Sequence, residues 1–85
     1  MTTFTFEVLV SLKQGLADPA GTAVEASLPA LGWSNVSHVK VGKHIELDVD
    51  AASEAEALAQ VEDMARRLLS NPVIEDFRVL KVAAT

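Results

Sequence analysis

From Phe4 to Leu12 every even position is apolar (Phe4, Phe6, Val8, Val10, Leu12), while Thr5, Glu7, Ser11 and then Lys13 hold the odd ones. A period of two predicts a strand with one buried face. Leu9 breaks the polar face, and a single exposed leucine is ordinary unless a second apolar residue joins it. A second alternation runs from Val36 to Val49. There Val39, Val41, Ile45, Leu47 and Val49 share one parity and Lys40, Glu46 and Asp48 the other, with Gly42 in between. This stretch predicts two strands turning back on each other. A two-residue loop of Gly42-Lys43 would set Val41 opposite His44 and mix the faces. A three-residue loop of Gly42-Lys43-His44 sets Val41 opposite Ile45, so the longer loop is expected, with Gly42 at or beside a bulge.

Helical spacing appears twice. Asp18-Pro19 has the form of a helix start, because an N-cap carboxylate accepts from free backbone N–H groups and a proline at the first helical position has no N–H to leave unpaired. From Pro19 onward Ala20, Ala23, Val24, Ser27, Leu28 and Leu31 fall on one face, as for a helix packed on a sheet. Pro29 removes a backbone hydrogen bond and crowds the preceding turn, at about 3 kcal/mol, so a kink or early end is expected there. Gly32 ends the element, and Trp33 reads as a cover for the rim of the core. Ser53-Glu54-Ala55-Glu56 is a capping box, and the helix it opens has Ala57, Leu58, Val61, Met64, Ala65 and Leu68 as its apolar stripe. Glu62 and Arg66, and Asp63 and Arg67, are spaced for weak pairs on a solvated face.

Asn71-Pro72 stops the second helix, and Val73 to Val82 reads as a final strand whose pattern changes partway. Val73, Phe77 and Val79 share one face, whereas Ile74, Leu80 and Val82 lie on the other. Either a bulge shifts the register near Val79, or both faces are apolar because another chain covers the outer one. The second alternative gives Leu9 company. The order strand, helix, strand, strand, helix, strand predicts an α+β, ferredoxin-like βαββαβ two-layer sandwich: a four-stranded antiparallel sheet with both helices on one face. In that topology the loop from Lys13 to Asp18, the Gly42 turn and the Asn71-Pro72 junction share one end of the sheet.

Composition narrows the function classes. A chain of 85 residues reads as a single domain over 1–85 with a thin core, for which self-association is expected. It has no cysteine, which excludes disulfides, thiolate metal sites and thiol catalysis. No apolar run approaches the roughly 18 to 20 residues of a membrane span, and the start lacks a signal-peptide pattern, so a cytoplasmic chain is expected. A net charge of −5 without a basic stripe argues against nucleic acid.

No catalytic constellation is visible. His38 and His44 lie near the expected turn without a convincing third ligand, so no metal site is expected and both read as solvent-facing. Glu75 and Asp76 are adjacent and on a strand point to opposite faces, which rules out a carboxylate pair. Glu75 reads either as a contact residue or as a charge that discourages edge pairing. A small anion at the start of the first helix, near Lys13 and Lys43, is opposed by Asp18.

Three groups of residues carry a resemblance over nearly the whole chain. They are Val10-Ser11-Leu12-Lys13 with Asp18-Pro19 and Gly21; Val41-Gly42-Lys43 with Ile45-Glu46-Leu47; and Leu68-Leu69-Ser70-Asn71-Pro72-Val73-Ile74-Glu75-Asp76-Phe77. In order and spacing they resemble the PurS family, the small subunit of phosphoribosylformylglycinamidine synthase where that enzyme is split into three chains. Pro29 and Phe77 depart from the family pattern. The resemblance implies a noncatalytic subunit of de novo purine biosynthesis that bridges a glutaminase subunit (PurQ) and an ATP-dependent synthetase subunit (PurL) and supports ammonia transfer between them. It implies no cofactor in this chain, with ATP and magnesium on the synthetase subunit, and a homodimer or dimer of dimers.

Lys13, Asp18, Gly42, Lys43, Asn71 and Glu75 are then the candidates for partner contacts, and Leu9, Leu80 and Val82 for self-association. For three of these a plain structural role competes: Gly42 for its turn, Asp18 for the helix cap and Asn71 for the helix stop. An alternative of another class is a small-molecule-sensing regulatory domain of the ACT type. It shares the expected topology and would use the loop around Gly15 to hold an amino acid.

Overall fold

A computed structural model describes residues 1–82. Strand β1 (Thr2–Leu12) forms along the alternation read above and is followed by helix α1 (Pro19–Ser27), a short 3₁₀ turn (Pro29–Leu31) and strand β2 (Lys43–Ala51). Helix α2 (Glu54–Met64) continues into one π turn (Ala65–Leu69), and strand β3 (Glu75–Lys81) closes the order. The sheet has three strands in the order β2-β1-β3, with β1 antiparallel to both neighbours. Phe6, Val8 and Val10 of β1 are fully buried against Val49 and Ala51 of β2 and against Ala57, Val61 and Ala65 of α2. The alanines let the α2 backbone lie close to the sheet. Leu47, Phe77 and Val79 pack around this core. The Ser53 hydroxyl accepts from the Glu56 N–H at 3.2 Å, as the capping box requires.

Among the described residues no fourth strand joins the sheet, and the expected four-stranded sheet of the ferredoxin-like sandwich is corrected to three strands. Residues 36–42 join no ladder. Their backbone donors instead reach side chains of the α1 region: Val39 N–H donates to Glu25 Oε1 and Val41 N–H to Asp18 Oδ2, each at 3.0 Å. His38 adopts φ 58, in the left-handed region, which interrupts an extended run. There is no hairpin loop of Gly42-Lys43-His44, since Lys43 and His44 already pair with Val10 and Leu9 of β1. Alternation reports which face a residue takes and not which partner satisfies its backbone; two carboxylates replaced the expected strand partner.

Helix α1 departs from expectation as well. It ends early, as Pro29 requires, with Gly32 at φ 105 closing the 3₁₀ turn. It does not lie on the sheet beside α2. Its buried residue is Gly21, while Val24 and Leu31 of the expected stripe remain exposed and Leu28 is half-buried. A side chain at Gly21 would collide with the Val39 carbonyl oxygen, so the 36–42 segment crosses the helix at the one position that allows such an approach. The molecule is accordingly long and thin, 52 × 32 × 13 Å, with a radius of gyration of 16.5 Å. A compact domain of this length would have about 12 Å.

The end of α2 also shifts the expected stripe. Ser70 donates twice to the Ala65 carbonyl, through its N–H at 2.9 Å and its hydroxyl at 2.7 Å. The wider turn inserts one residue, so Leu69 turns inward and Leu68 is left 82% exposed. β3 keeps an unbroken register from Phe6↔Lys81 to Leu12↔Glu75, so there is no bulge and both of its faces carry apolar residues. Leu68→Ala is expected to change stability by less than about 0.5 kcal/mol, whereas Leu69→Ala should cost about 1 to 2 kcal/mol. Urea denaturation of the two variants distinguishes the observed turn from a continuous α-helix, for which the order would reverse.

Candidate partner-docking site

Antiparallel pairing brings the end of β1 and the starts of β2 and β3 to one edge of the molecule. Lys13, one residue past β1, donates its N–H to the Ile74 carbonyl at 2.8 Å, and its Nζ lies 3.1 Å from Asp76 Oδ1. Lys43, at the start of β2, donates from Nζ to the Leu69 carbonyl at 3.2 Å and stands 4.0 Å from Glu75 Oε1. A cation is favourable there because the last carbonyls of a helix lack partners within it. Glu75 Oε1 accepts from the Asn71 N–H at 2.7 Å, and Glu75 N–H donates to the Asn71 carbonyl at 2.7 Å. Asn71 Oδ1 accepts from the Val73 N–H at 3.1 Å, the local turn that asparagine side chains stabilise.

Lys13, Lys43, Asn71 and Glu75 thus share one end of the sheet, Lys13 with Asp76 on its outer face and Lys43 with Glu75 and Asn71 on the helix face. Leu68, Val73 and Ile74 protrude beside this group, 82%, 79% and 40% exposed. Sequence reasoning passed over Leu68 and Val73 as docking residues, because a regular helix and a longer strand would have covered or paired them. Exposed ion pairs contribute only about 0 to 1 kcal/mol each. What the cluster supplies is a fixed arrangement of charges and apolar knobs at a rigid strand edge.

Asp18 and Gly42 have other tasks. The Asp18 carboxylate accepts from the Gly21 N–H and the Val41 N–H, each at 3.0 Å. It fills the start of α1 that a free anion would otherwise use and fastens the 36–42 segment to the helix. These two hydrogen bonds, the Gly21 one first, hold the Asp18 carboxyl below its ordinary pKa. Gly42 runs against the backbone of β1, where a side chain would collide with the Val10 carbonyl oxygen; its role is close approach and not a hairpin turn. Leu9 and Leu80 lie on the outer face of the sheet, across from Arg78 and Glu7 respectively. Val82 follows on the same face, with its N–H donating to the Thr5 carbonyl at 2.9 Å.

Fold and site together define a small α+β protein with a three-stranded antiparallel sheet and charged and apolar side chains gathered at one end of it. A family model for PurS, phosphoribosylformylglycinamidine (FGAM) synthase, matches residues 5–83. The chain is 46% identical over 70 residues to the phosphoribosylformylglycinamidine synthase subunit PurS of Synechocystis sp., covering 82% of this chain and 70% of that one. It is 37% identical over 75 residues to the corresponding subunit of Bacillus subtilis, covering 88% of each. Among solved structures it resembles a chain of PurLQS from Thermotoga maritima with a TM-score of 0.89 and 30% identity, over 96% of this chain and 100% of that one. The chain belongs to the PurS family.

A carboxylate whose pKa is lower in the folded state stabilises that state above its unfolded pKa, and this contribution is lost as pH falls through the lower folded value. The amide resonances of Gly21 and Val41 are therefore expected to titrate together with a midpoint below the ordinary aspartate value of 3.8. In Asp18→Asn that shared titration should vanish, with faster hydrogen exchange at Val41, as followed by NMR.

Proposed function

We propose that this chain is the noncatalytic PurS subunit of a three-chain phosphoribosylformylglycinamidine synthase, docking to the glutaminase and synthetase subunits and supporting ammonia transfer between them. The observation that carries this reading is the likeness to a chain of the PurLQS structure over 96% of the present sequence. The overall reaction converts formylglycinamide ribonucleotide, ATP and glutamine into formylglycinamidine ribonucleotide, with ATP and magnesium on the synthetase subunit. The family match favours this reading over an amino-acid sensor of the ACT type. A cytoplasmic location accords with it, and no helix among the described residues is long and apolar enough to cross a membrane.

The Lys13–Lys43–Asn71–Glu75 end, with Leu68 and Val73 as apolar anchors, is the surface offered to a partner. Interfaces commonly concentrate their binding energy in a few such anchors ringed by polar groups. Self-association as a homodimer or dimer of dimers is supported by the extended shape and by the apolar residues left uncovered: Val24, Leu31 and Trp33 around α1, and Leu80 on the outer sheet face. Sedimentation at micromolar concentration is expected to give a dimer or tetramer, and a stable monomer would remove this part of the reading.

Turnover with purified glutaminase and synthetase subunits should depend on this chain when glutamine is the nitrogen source and depend on it little when ammonium is supplied. The double variant Lys43→Glu with Glu75→Lys is expected to weaken assembly about tenfold or more, equivalent to about 1.4 kcal/mol, while its circular dichroism stays unchanged. Undiminished assembly would exclude this end from the interface. Indifference of both turnover rates to the chain would overturn the functional reading itself.

A further inference from the structure

One row on the outer face of the sheet does not follow its neighbours. Thr3 pairs with Asp50 and Thr5 with Asp48 across β1 and β2, each hydroxyl donating to its carboxylate at 2.6 Å. The next outward row sets Glu7 directly opposite Glu46. Like charges in directly opposed positions destabilise a ladder unless a positive group is shared between them. Among the described residues no lysine or arginine forms an ion pair with either glutamate. Arg78, on the adjoining strand, stands across from Leu9. The partner that does approach is His44, one outward position away on β2, with Nε2 at 3.6 Å from Glu7 Oε1. One ligand atom from each of Glu7, His44 and Glu46 lies within 4.8 Å of the other two.

We propose that Glu7, His44 and Glu46 form a surface site for a divalent transition metal of the zinc type, held by one imidazole nitrogen and two carboxylate oxygens, with water completing the coordination. Bonds of about 2.0 to 2.2 Å place such ligand atoms about 3 to 4 Å apart, and small side-chain rotations at the exposed His44 and Glu46 close the difference. The imidazole selects zinc-like ions over magnesium or calcium, which prefer oxygen alone. The three backbone positions are fixed by the β1–β2 ladder, which gives the site a rigid base. The ion offsets the Glu7–Glu46 repulsion that the unliganded face carries. His38 is excluded from the set: it lies in the segment before β2, with Nδ1 at 3.2 Å from the Ser37 hydroxyl.

Calorimetric titration of the purified full chain with zinc chloride, in buffer free of chelators, tests the site. Saturable binding of one ion per chain with a micromolar dissociation constant is expected, undisturbed by millimolar magnesium. His44→Ala and Glu46→Gln should each weaken it about tenfold or more, while His38→Ala leaves it unchanged. An NMR titration of the unsubstituted chain supplies a readout independent of variant folding: the His44 ring signals should shift or broaden at lower zinc concentration than those of His38. Absence of saturable binding below millimolar zinc would overturn the proposal. So would full affinity in a folded His44→Ala variant, or a response at His38 that precedes His44.

Discussion

Pairing of β1 on both of its edges is the constraint on which the rest of this molecule depends. Because it is central, its inward side chains Phe6, Val8 and Val10 are the ones that β2, β3 and α2 pack around. Because both neighbours run antiparallel to it, β2 and β3 are parallel to each other with β1 between them, and the connection joining them has to cross one face of the sheet. α2 makes that crossing and buries Ala57, Val61 and Ala65 as it does so. The close approach at Gly42 starts the β1–β2 ladder, where any side chain would hold the two backbones apart. α1 lies outside this arrangement and is held by Asp18 and Glu25 to the segment that follows it.

Those features that depend on local chemistry were legible in the chain. The alternation of β1, the Asp18-Pro19 start, the Ser53 capping box and the break at Pro29 each rest on residues within one or two turns of one another. The 36–42 segment departs from its expected strand because its alternation is real but its hydrogen-bond acceptors are the Asp18 and Glu25 carboxylates, more than a dozen residues earlier. The exposure of Leu68 departs from the expected stripe for a different reason. Ser70 takes the Ala65 carbonyl with both its N–H and its hydroxyl, and the wider turn this closes shifts the end of α2 by one residue. The opposed pair Glu7–Glu46 is not legible in the chain, since alternation fixes the face each residue takes and not which residue of the neighbouring strand stands opposite.

The gathering of Lys13, Lys43, Asn71 and Glu75 survived the loss of the fourth strand, and the topology explains why. Their meeting requires only that β2 and β3 both run antiparallel to β1, so that the end of one strand meets the beginnings of two others. Asp18 is bonded to the Val41 N–H two residues before Lys43, and its carboxylate is taken up by that bond and by the start of α1. The docking role proposed for this surface is not derivable from charge or periodicity. That proposal rests on the family resemblance, to which the geometry adds the exposed apolar neighbours Leu68 and Val73.

The length of the molecule has a consequence for assembly. A body 52 Å long and 13 Å thick presents two remote ends on one frame, so contact at one end confines the other within reach of whatever stands beside it. The second contact then forms at the high effective concentration of a tethered pair and no longer at the bulk concentration of free subunits. Two individually weak interfaces on such a spacer can hold a larger complex together, and either can open without releasing the whole.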